Sequence, residues 1–247
     1  MGRMVEKWTE EYTIQSVDAD FKGDCRWSSL LSILQRAADR HIEALGISRE
    51  DMIERGMGWM LITLELNMQR MPRDMETVYV DTWSRGSKGA LWHRDYRIKN
   101  GDGEMLGEAR SVWALVDIHK RKILRPSMFP FEVPIGQETV GELPSKAVLP
   151  EGVQLDEAYT YMVRYSGIDT NGHLNNARYA DLCFDVLDVQ ELREGQVTGF
   201  KITYHNEARL KDTMLIRRSV EENNRVYVQG ISPDGTNFFE AAIVRES

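Results

Sequence analysis

Residues 161–179 read Tyr-Met-Val-Arg-Tyr-Ser-Gly-Ile-Asp-Thr-Asn-Gly-His-Leu-Asn-Asn-Ala-Arg-Tyr. The first nine are strand-like and end at Asp169. They can be laid over Tyr12-Thr-Ile-Gln-Ser-Val-Asp-Ala-Asp20, so the chain reads as an internal repeat. Behind each copy the apolar spacing becomes helical. In the first half Leu30, Leu34, Ala37, Ala38, His41 and Leu45 share one face, with Ser28 or Ser29 as the cap and Gly46 as the stop. In the second half Tyr179, Leu182, Cys183, Val186 and Leu187 form a similar stripe behind Asn175 and Asn176, which read as helix caps.

After each helix the period changes to two. Leu61–Gln69 and Gly199–Glu207 read as strands, and laying Asp74 over Asp212 pairs Leu64 with Ile202, Leu66 with Tyr204 and Gln69 with Glu207. Three more strands follow in each half: Thr77–Ser84, Trp92–Lys99 and Met105–Asp117, then Met214–Glu221, Arg225–Ile231 and Phe238–Arg245. The turn Asn100-Gly-Asp-Gly103 matches Ser232-Pro-Asp-Gly235, with Glu108-Ala109 and Glu240-Ala241 behind it. Residues 134–156 carry Pro134, Gly136, Gly141, Pro144, Pro150 and Gly152 without a period, which marks a linker. One helix per antiparallel sheet, twice over, is an α+β layout. A long helix wrapped by a curved antiparallel sheet is the hotdog arrangement. The reading is therefore an N-terminal hotdog over 1–133, a linker over 134–156 and a C-terminal hotdog over 157–247, packed as a pseudo-dimer.

Composition narrows the function. The 247 residues carry a net charge of −8, which argues against a nucleic-acid binder. Cys25 and Cys183 are the only cysteines, stand in no metal spacing, and read as reduced thiols of a cytoplasmic protein. Met1–Trp8 has no apolar signal core, and Glu6 stands where a myristoylation motif needs Ser or Thr. No run of 18 apolar residues exists, so no membrane span is expected.

The densest chemistry is Asp169, Asn171 and His173, which alternate over five residues at an expected helix start. The first half keeps Asp20 but has Lys22 and Asp24 in place of Asn171 and His173, and Gln69 in place of Glu207. Only the second half carries an acid–base set. Each member has a plainer reading: His173 as a surface histidine, Asp169 as a turn residue, Glu207 as a solvated strand end. A metal site from Asp169, His173, His205 and Glu207 lacks any supporting ligand motif, and no metal is expected. A serine hydrolase lacks its Gly-x-Ser-x-Gly elbow, and no phosphate-binding glycine loop occurs.

Asp169-x-Asn171-x-His173-x-Asn175-Asn176-x-x-Tyr179, followed by Tyr204-His-Asn-Glu207, resembles the acyl-acyl-carrier-protein thioesterases, the bacterial relatives of the plant FatA and FatB enzymes. Trp59-Met-Leu-Ile-Thr, Val80-Asp-Thr-Trp83, Arg94-Asp-Tyr96 and Ser111-Val-Trp113 agree with it, and the resemblance runs from about Tyr12 to Val244. It implies a double hotdog that hydrolyses fatty acyl thioesters of acyl carrier protein, with Asp169, Asn171, His173 and Glu207 on the catalytic positions. Plant members carry a cysteine directly after the glutamate. Ala208 stands there in this chain, so activated water is expected rather than an acyl-cysteine.

Glu207 or His173 is then the general base, Asn171 orients water or polarises the carbonyl, and Asp169 holds the loop and the His173 tautomer. Backbone N–H groups of Leu174, Asn175 and Asn176 are the expected oxyanion donors. One geometric obstacle stands. On a continuous strand Glu207 shares a face with Thr203 and His205, so reaching His173 requires the strand to end or bulge first. Met52, Met57, Trp59 and Met60 are candidates for the acyl-chain wall, with ordinary core as the plainer reading. His119-Lys-Arg-Lys122 with Arg125 is the best basic patch for an acidic carrier protein, so Lys120, Arg121, Lys122 and Arg125 are the docking candidates. No cofactor is expected beyond the phosphopantetheine arm carried by the substrate, and a homodimer is allowed. An acyl-coenzyme A thioesterase, a hotdog enoyl-thioester hydratase and a non-catalytic acyl-binding module are the alternatives.

Overall fold

A computed structural model describes residues 5–146 and 149–246. Met1–Met4, on which part of the N-terminal reading rests, and Ala147 and Val148 of the expected linker lie outside the described residues. The first half runs β1 (Lys7–Thr13), α1 (Trp27–Ala44), α2 (Arg49–Glu54), β2 (Met57–Met68), β3 (Thr77–Lys88), β4 (Leu91–Asn100), β5 (Met105–Asp117) and the short β6 (Lys122–Ile123). The second runs β7 (Asp156–Met162), α3 (Arg178–Phe184), α4 (Val189–Glu194), β8 (Gln196–Tyr204), β9 (Thr213–Arg218), β10 (Arg225–Ile231) and β11 (Asn237–Glu246). All strands join one antiparallel sheet in the order β1-β3-β4-β5-β2-β8-β11-β10-β9-β7, with β6 beside β5.

The two halves meet at β2 and β8, where Thr63 faces Thr203 and Asn67 faces Gly199. The Thr63 and Thr203 hydroxyls are hydrogen-bonded at 3.1 Å at the buried Thr63 end of this seam. The α1 face expected from periodicity is the main core. Leu30, Leu34 and Ala37 are fully buried and share one apolar cluster with Leu66, Val80 and Ile98 of the sheet. Trp27 stacks on Phe184 of α3 at 5.4 Å and meets Phe200 of β8 edge-on at 6.0 Å, which ties the first half's helix to the second half.

Both expected caps differ from the observed ones. α1 starts at Trp27 behind Arg26 and has no side-chain cap, and Ser28 is buried within its first turn. The aromatic contacts of Trp27 set this start, overriding the local capping preference. α3 starts behind Ala177, so neither Asn175 nor Asn176 is its cap. Its seven residues end at Phe184, and the buried Val186 and Leu187 lie past that end. A capping box formed by Asp188 and Glu191 then opens α4. The second half therefore has a broken helix where one long helix was expected.

The repeat is real, but its second register is two residues off. Ala109 pairs with Leu66, and its counterpart Ala241 pairs with Ile202, so Leu66 and not Leu64 corresponds to Ile202. The backbone agrees: Cys25 N–H donates to Pro72 O at 2.7 Å, as Leu174 N–H does to Ala208 O at 2.8 Å. Met71, not Gln69, therefore stands where the second half has Glu207. A two-residue slip preserves the side-chain face, so the strand pattern alone did not expose it.

The connecting segment is strapped to the first half's sheet. Gly136 N–H donates to Ser84 O at 2.9 Å, Trp83 Nε1 to Glu138 O at 2.7 Å, and Val140 N–H to the Asp95 carboxylate at 2.7 Å. Among the described residues no helix is long and apolar enough to cross a membrane.

His41 is fully buried on α1, with Nε2 2.7 Å from Val5 O and Nδ1 3.0 Å from the Arg94 guanidinium. Arginine only donates, so Nδ1 accepts and Nε2 carries the proton. Burial and then Arg94 lower the imidazole pKa from 6.5 to about 4, against the Val5 carbonyl. As pH falls the unfolded chain protonates first. Stability present above pH 6.5 is therefore lost progressively toward about 4, by up to about 3 kcal/mol. Urea unfolding across this window is expected to show that slope in the parent and a flatter one in His41→Gln.

Candidate active site

The segment after β7 is a tight hairpin. Asp169 N–H donates to His173 O at 2.9 Å, Gly172 N–H returns to Asp169 O at 3.0 Å, and Gly172 takes φ +79°, which favours glycine. Asp169 Oδ1 accepts the Asn171 N–H at 2.8 Å and the His173 N–H at 3.4 Å. The first half builds the same loop. Asp20 Oδ1 accepts from the N–H groups of Lys22 at 2.7 Å and Asp24 at 3.2 Å, and Gly23 takes φ +79°. The aspartate common to both halves is thus the frame of the loop. Among the described residues it makes no hydrogen bond to the His173 ring, so the expected tautomer role of Asp169 is not observed.

Glu207 supplies that contact. β8 ends at Tyr204, and the N–H groups of His205 and Asn206 both turn to Phe238 O, at 2.9 and 3.3 Å. The strand ends before Glu207, which removes the face problem. An isolated bridge between His173 and Arg209 then lays this segment beside the loop. Glu207 Oε2 lies 3.3 Å from His173 Nε2, with both side chains partly exposed. His205 is 3.6 Å from Glu240 instead. Ala208 is fully buried, and its N–H donates to the Tyr179 hydroxyl at 3.3 Å. Burial pushes the Cys25 thiol up to about 12 and the Cys183 thiol well above its ordinary range, so neither offers a ready thiolate.

Two arginines of the first half complete the cluster. Arg49, the first residue of α2, donates to Asn171 Oδ1 at 2.9 Å and to Thr170 Oγ1 at 3.3 Å. An arginine must meet the amide oxygen, which leaves the Asn171 NH2 free to donate elsewhere. Arg121 forms an ion pair with Glu207 Oε2, the same oxygen that meets His173. Arg121 was expected in a docking patch; in the fold it belongs to the site. Arg49 was not foreseen. The Ser48-x-x-Asp51 capping box was a legible signal for its helix, but not for the half it reaches.

Other expectations need correction. The Leu174 N–H goes to Ala208 O and the Asn175 N–H to Gly167 O at 2.9 Å, so neither is free as an oxyanion donor. The Asn175 side chain accepts from Ala177 N–H at 2.9 Å. Of the three positions, only the Asn176 N–H has no hydrogen bond among the described residues. Met52, Met57 and Trp59 join an apolar cluster with Ile47, Leu115 and Phe129, in which Trp59 packs edge-on against Trp92 and Phe129. Met60 is in neither apolar cluster, because strand alternation turns it to the other face from Trp59. α2 links this cluster to the site, presenting Met52 inward and Arg49 to the loop. A cleft of about 520 Å³ runs past Asp169, Asn175 and Ser28, but none of the four acyl-wall candidates lines it.

A continuous sheet made of two repeats, with an acid–base loop in one of them, defines a double hotdog. Models of the acyl-ACP thioesterase N-terminal and C-terminal domains match residues 5–127 and 151–237. The chain belongs to the acyl-ACP thioesterase family. An acyl-ACP thioesterase from Bacteroides thetaiotaomicron superposes with a TM-score of 0.88 over 98% of each chain at 22% identity. The 12:0-ACP thioesterase from Umbellularia californica gives 0.80 at 17% identity, covering 100% of this chain and 99% of its own. A chloroplastic palmitoyl-acyl carrier protein thioesterase of Gossypium hirsutum is 23% identical over 249 residues, covering 91% of this chain. This chain spans 58% of that relative's length.

Asp169→Ala is expected to speed amide exchange at Asn171 and His173 by about tenfold, since each loses a charged acceptor. Residue-resolved hydrogen exchange checks this, and unchanged protection would contradict the framing role.

Proposed function

We propose that the chain hydrolyses fatty acyl thioesters of acyl carrier protein, releasing free fatty acid and holo carrier protein, with water as the nucleophile. The observation that carries this reading is the His173–Glu207 contact at 3.3 Å, within a chain of this family. A thioester needs an activated water, a donor for the oxyanion and an exit for the thiolate. With Nε2 and Oε2 engaged, His173 Nδ1 and Glu207 Oε1 have no hydrogen-bond partner among the described residues and can accept. The pair takes the proton from the attacking water. The Asn171 NH2, oriented by Arg49, donates to the developing oxyanion. Asp169 holds the loop that sets both. A thiolate leaves readily, so protonating it matters less than activating water.

The apolar cluster of Met52, Met57 and Trp59 under α2 is the proposed wall for the acyl chain. Lys120, Lys122 and Arg125 remain exposed beside the site, a local basic surface on an acidic chain for the acidic carrier protein. The proposed setting is fatty acid biosynthesis in the cytoplasm.

Thiol release from a panel of acyl-carrier-protein chain lengths tests the activity. Glu207→Gln and His173→Ala are each expected to lower kcat by about 10²–10⁴-fold with thermal unfolding unchanged. Near-parental rates in both would remove the mechanism. Lys120→Glu with Lys122→Glu is expected to raise KM for the carrier-protein substrate and to spare acyl-coenzyme A. An equal effect on both would count against docking there.

A further inference from the structure

We propose that Arg49 and Arg121, both from the first half, are positioning residues for the second half's catalytic groups, so that neither half holds a working site alone. This rests on the hydrolase reading above and concerns how its site is assembled. Arg121 fixes Glu207 by pairing with Oε2, and Arg49 fixes the Asn171 amide through Oδ1. The Asn171 NH2 and Glu207 Oε1 are thereby left to face the substrate.

Arg121 is held in place by its own turn. The Asp117 carboxylate accepts the N–H groups of His119 at 3.0 Å and Lys120 at 2.8 Å, and the Arg121 N–H closes on Asp117 O at 2.8 Å. Arg121 itself takes φ +54°, a left-handed conformation that is strained for a non-glycine residue. From this turn its guanidinium meets the Glu207 carboxylate.

Arg49 is placed as firmly. It follows the Ser48 cap as the first residue of α2, and Met52 anchors that helix in the second apolar cluster. The matching place in the first half shows what the contact looks like without chemistry. Lys22, the counterpart of Asn171, reaches across to the Leu192 carbonyl at 3.2 Å and so ties its loop to α4. Both loops make a cross-half contact at this position. Only the second presents an amide whose free end can donate.

Thiol-release kinetics on one acyl-carrier-protein thioester and on the matching acyl-coenzyme A decide the matter. Arg121→Gly removes the side chain and relieves the left-handed backbone, so lost activity cannot be assigned to a strained turn. Arg121→Gly and Arg49→Gln are each expected to lower kcat about 10–100-fold on both substrates, with KM changed by no more than about threefold. Arg121→Lys is expected to recover part of the loss. In double-variant cycles Arg121→Gly adds nothing to Glu207→Gln, and Arg49→Gln adds nothing to Asn171→Ala. Additive losses, a change confined to KM for the carrier substrate, or parental rates in both arginine variants would overturn the proposal. An inactive Glu207→Gln beside a fully active Arg121→Gly overturns this inference alone, whereas a fully active Glu207→Gln removes the mechanism and the inference together.

Discussion

Everything in this chain depends on the pairing of β2 with β8. Five residue pairs, from Thr63–Thr203 to Asn67–Gly199, turn two sheets into one. That seam places both central helices where Trp27 can stack on Phe184. It also brings the start of α2 and the turn after β5 within reach of the second half's loop. The polar cluster around His173 and Glu207 is thus a product of sheet registry. A slip by one residue would turn Leu64 and Leu66 out of the core and separate the arginines from their partners.

Much of the fold was legible because its turns are explicit. The turns Asn100–Gly103 and Ser232–Gly235 fixed their flanking strands, and β5 and β10 run over the stretches their alternation indicated. The helical face of α1 was equally plain, since Leu30, Leu34, Ala37 and Ala38 recur at helical spacing with no competing pattern. Caps were read less well. Ser28, Asn175 and Asn176 have the right chemistry, but Trp27 and the tight Asp169 hairpin decide where those helices start. Local preference loses to a buried aromatic contact of larger energy.

The site was legible in its members and not in its assembly. The alternation of Asp169, Asn171 and His173 named three residues. The loop-holding role read for Asp169 takes the form of backbone bonds that Asp20 also makes, whereas the tautomer role read beside it has no such bond. Glu207 reaches His173 only because β8 stops at Tyr204, and no residue in Tyr204–Glu207 announces that stop. Arg49 and Arg121 were out of reach for a further reason. Each is sequence-distant from its partner, and each lies in the half that had lost the acid–base set.

The corrected register gives the two halves a different relation. Where the second half carries Glu207, the first carries Met71, which packs against the main apolar cluster. Two identical subunits must make every substitution twice, so a residue useful in one site appears in the other whether it suits or not. A single chain carrying both copies is released from that symmetry. One copy can convert its carboxylate position into core and lend its outer loops to its neighbour, while the other keeps the polar cluster. The covalent joining of two similar units acts here as a licence for division of labour.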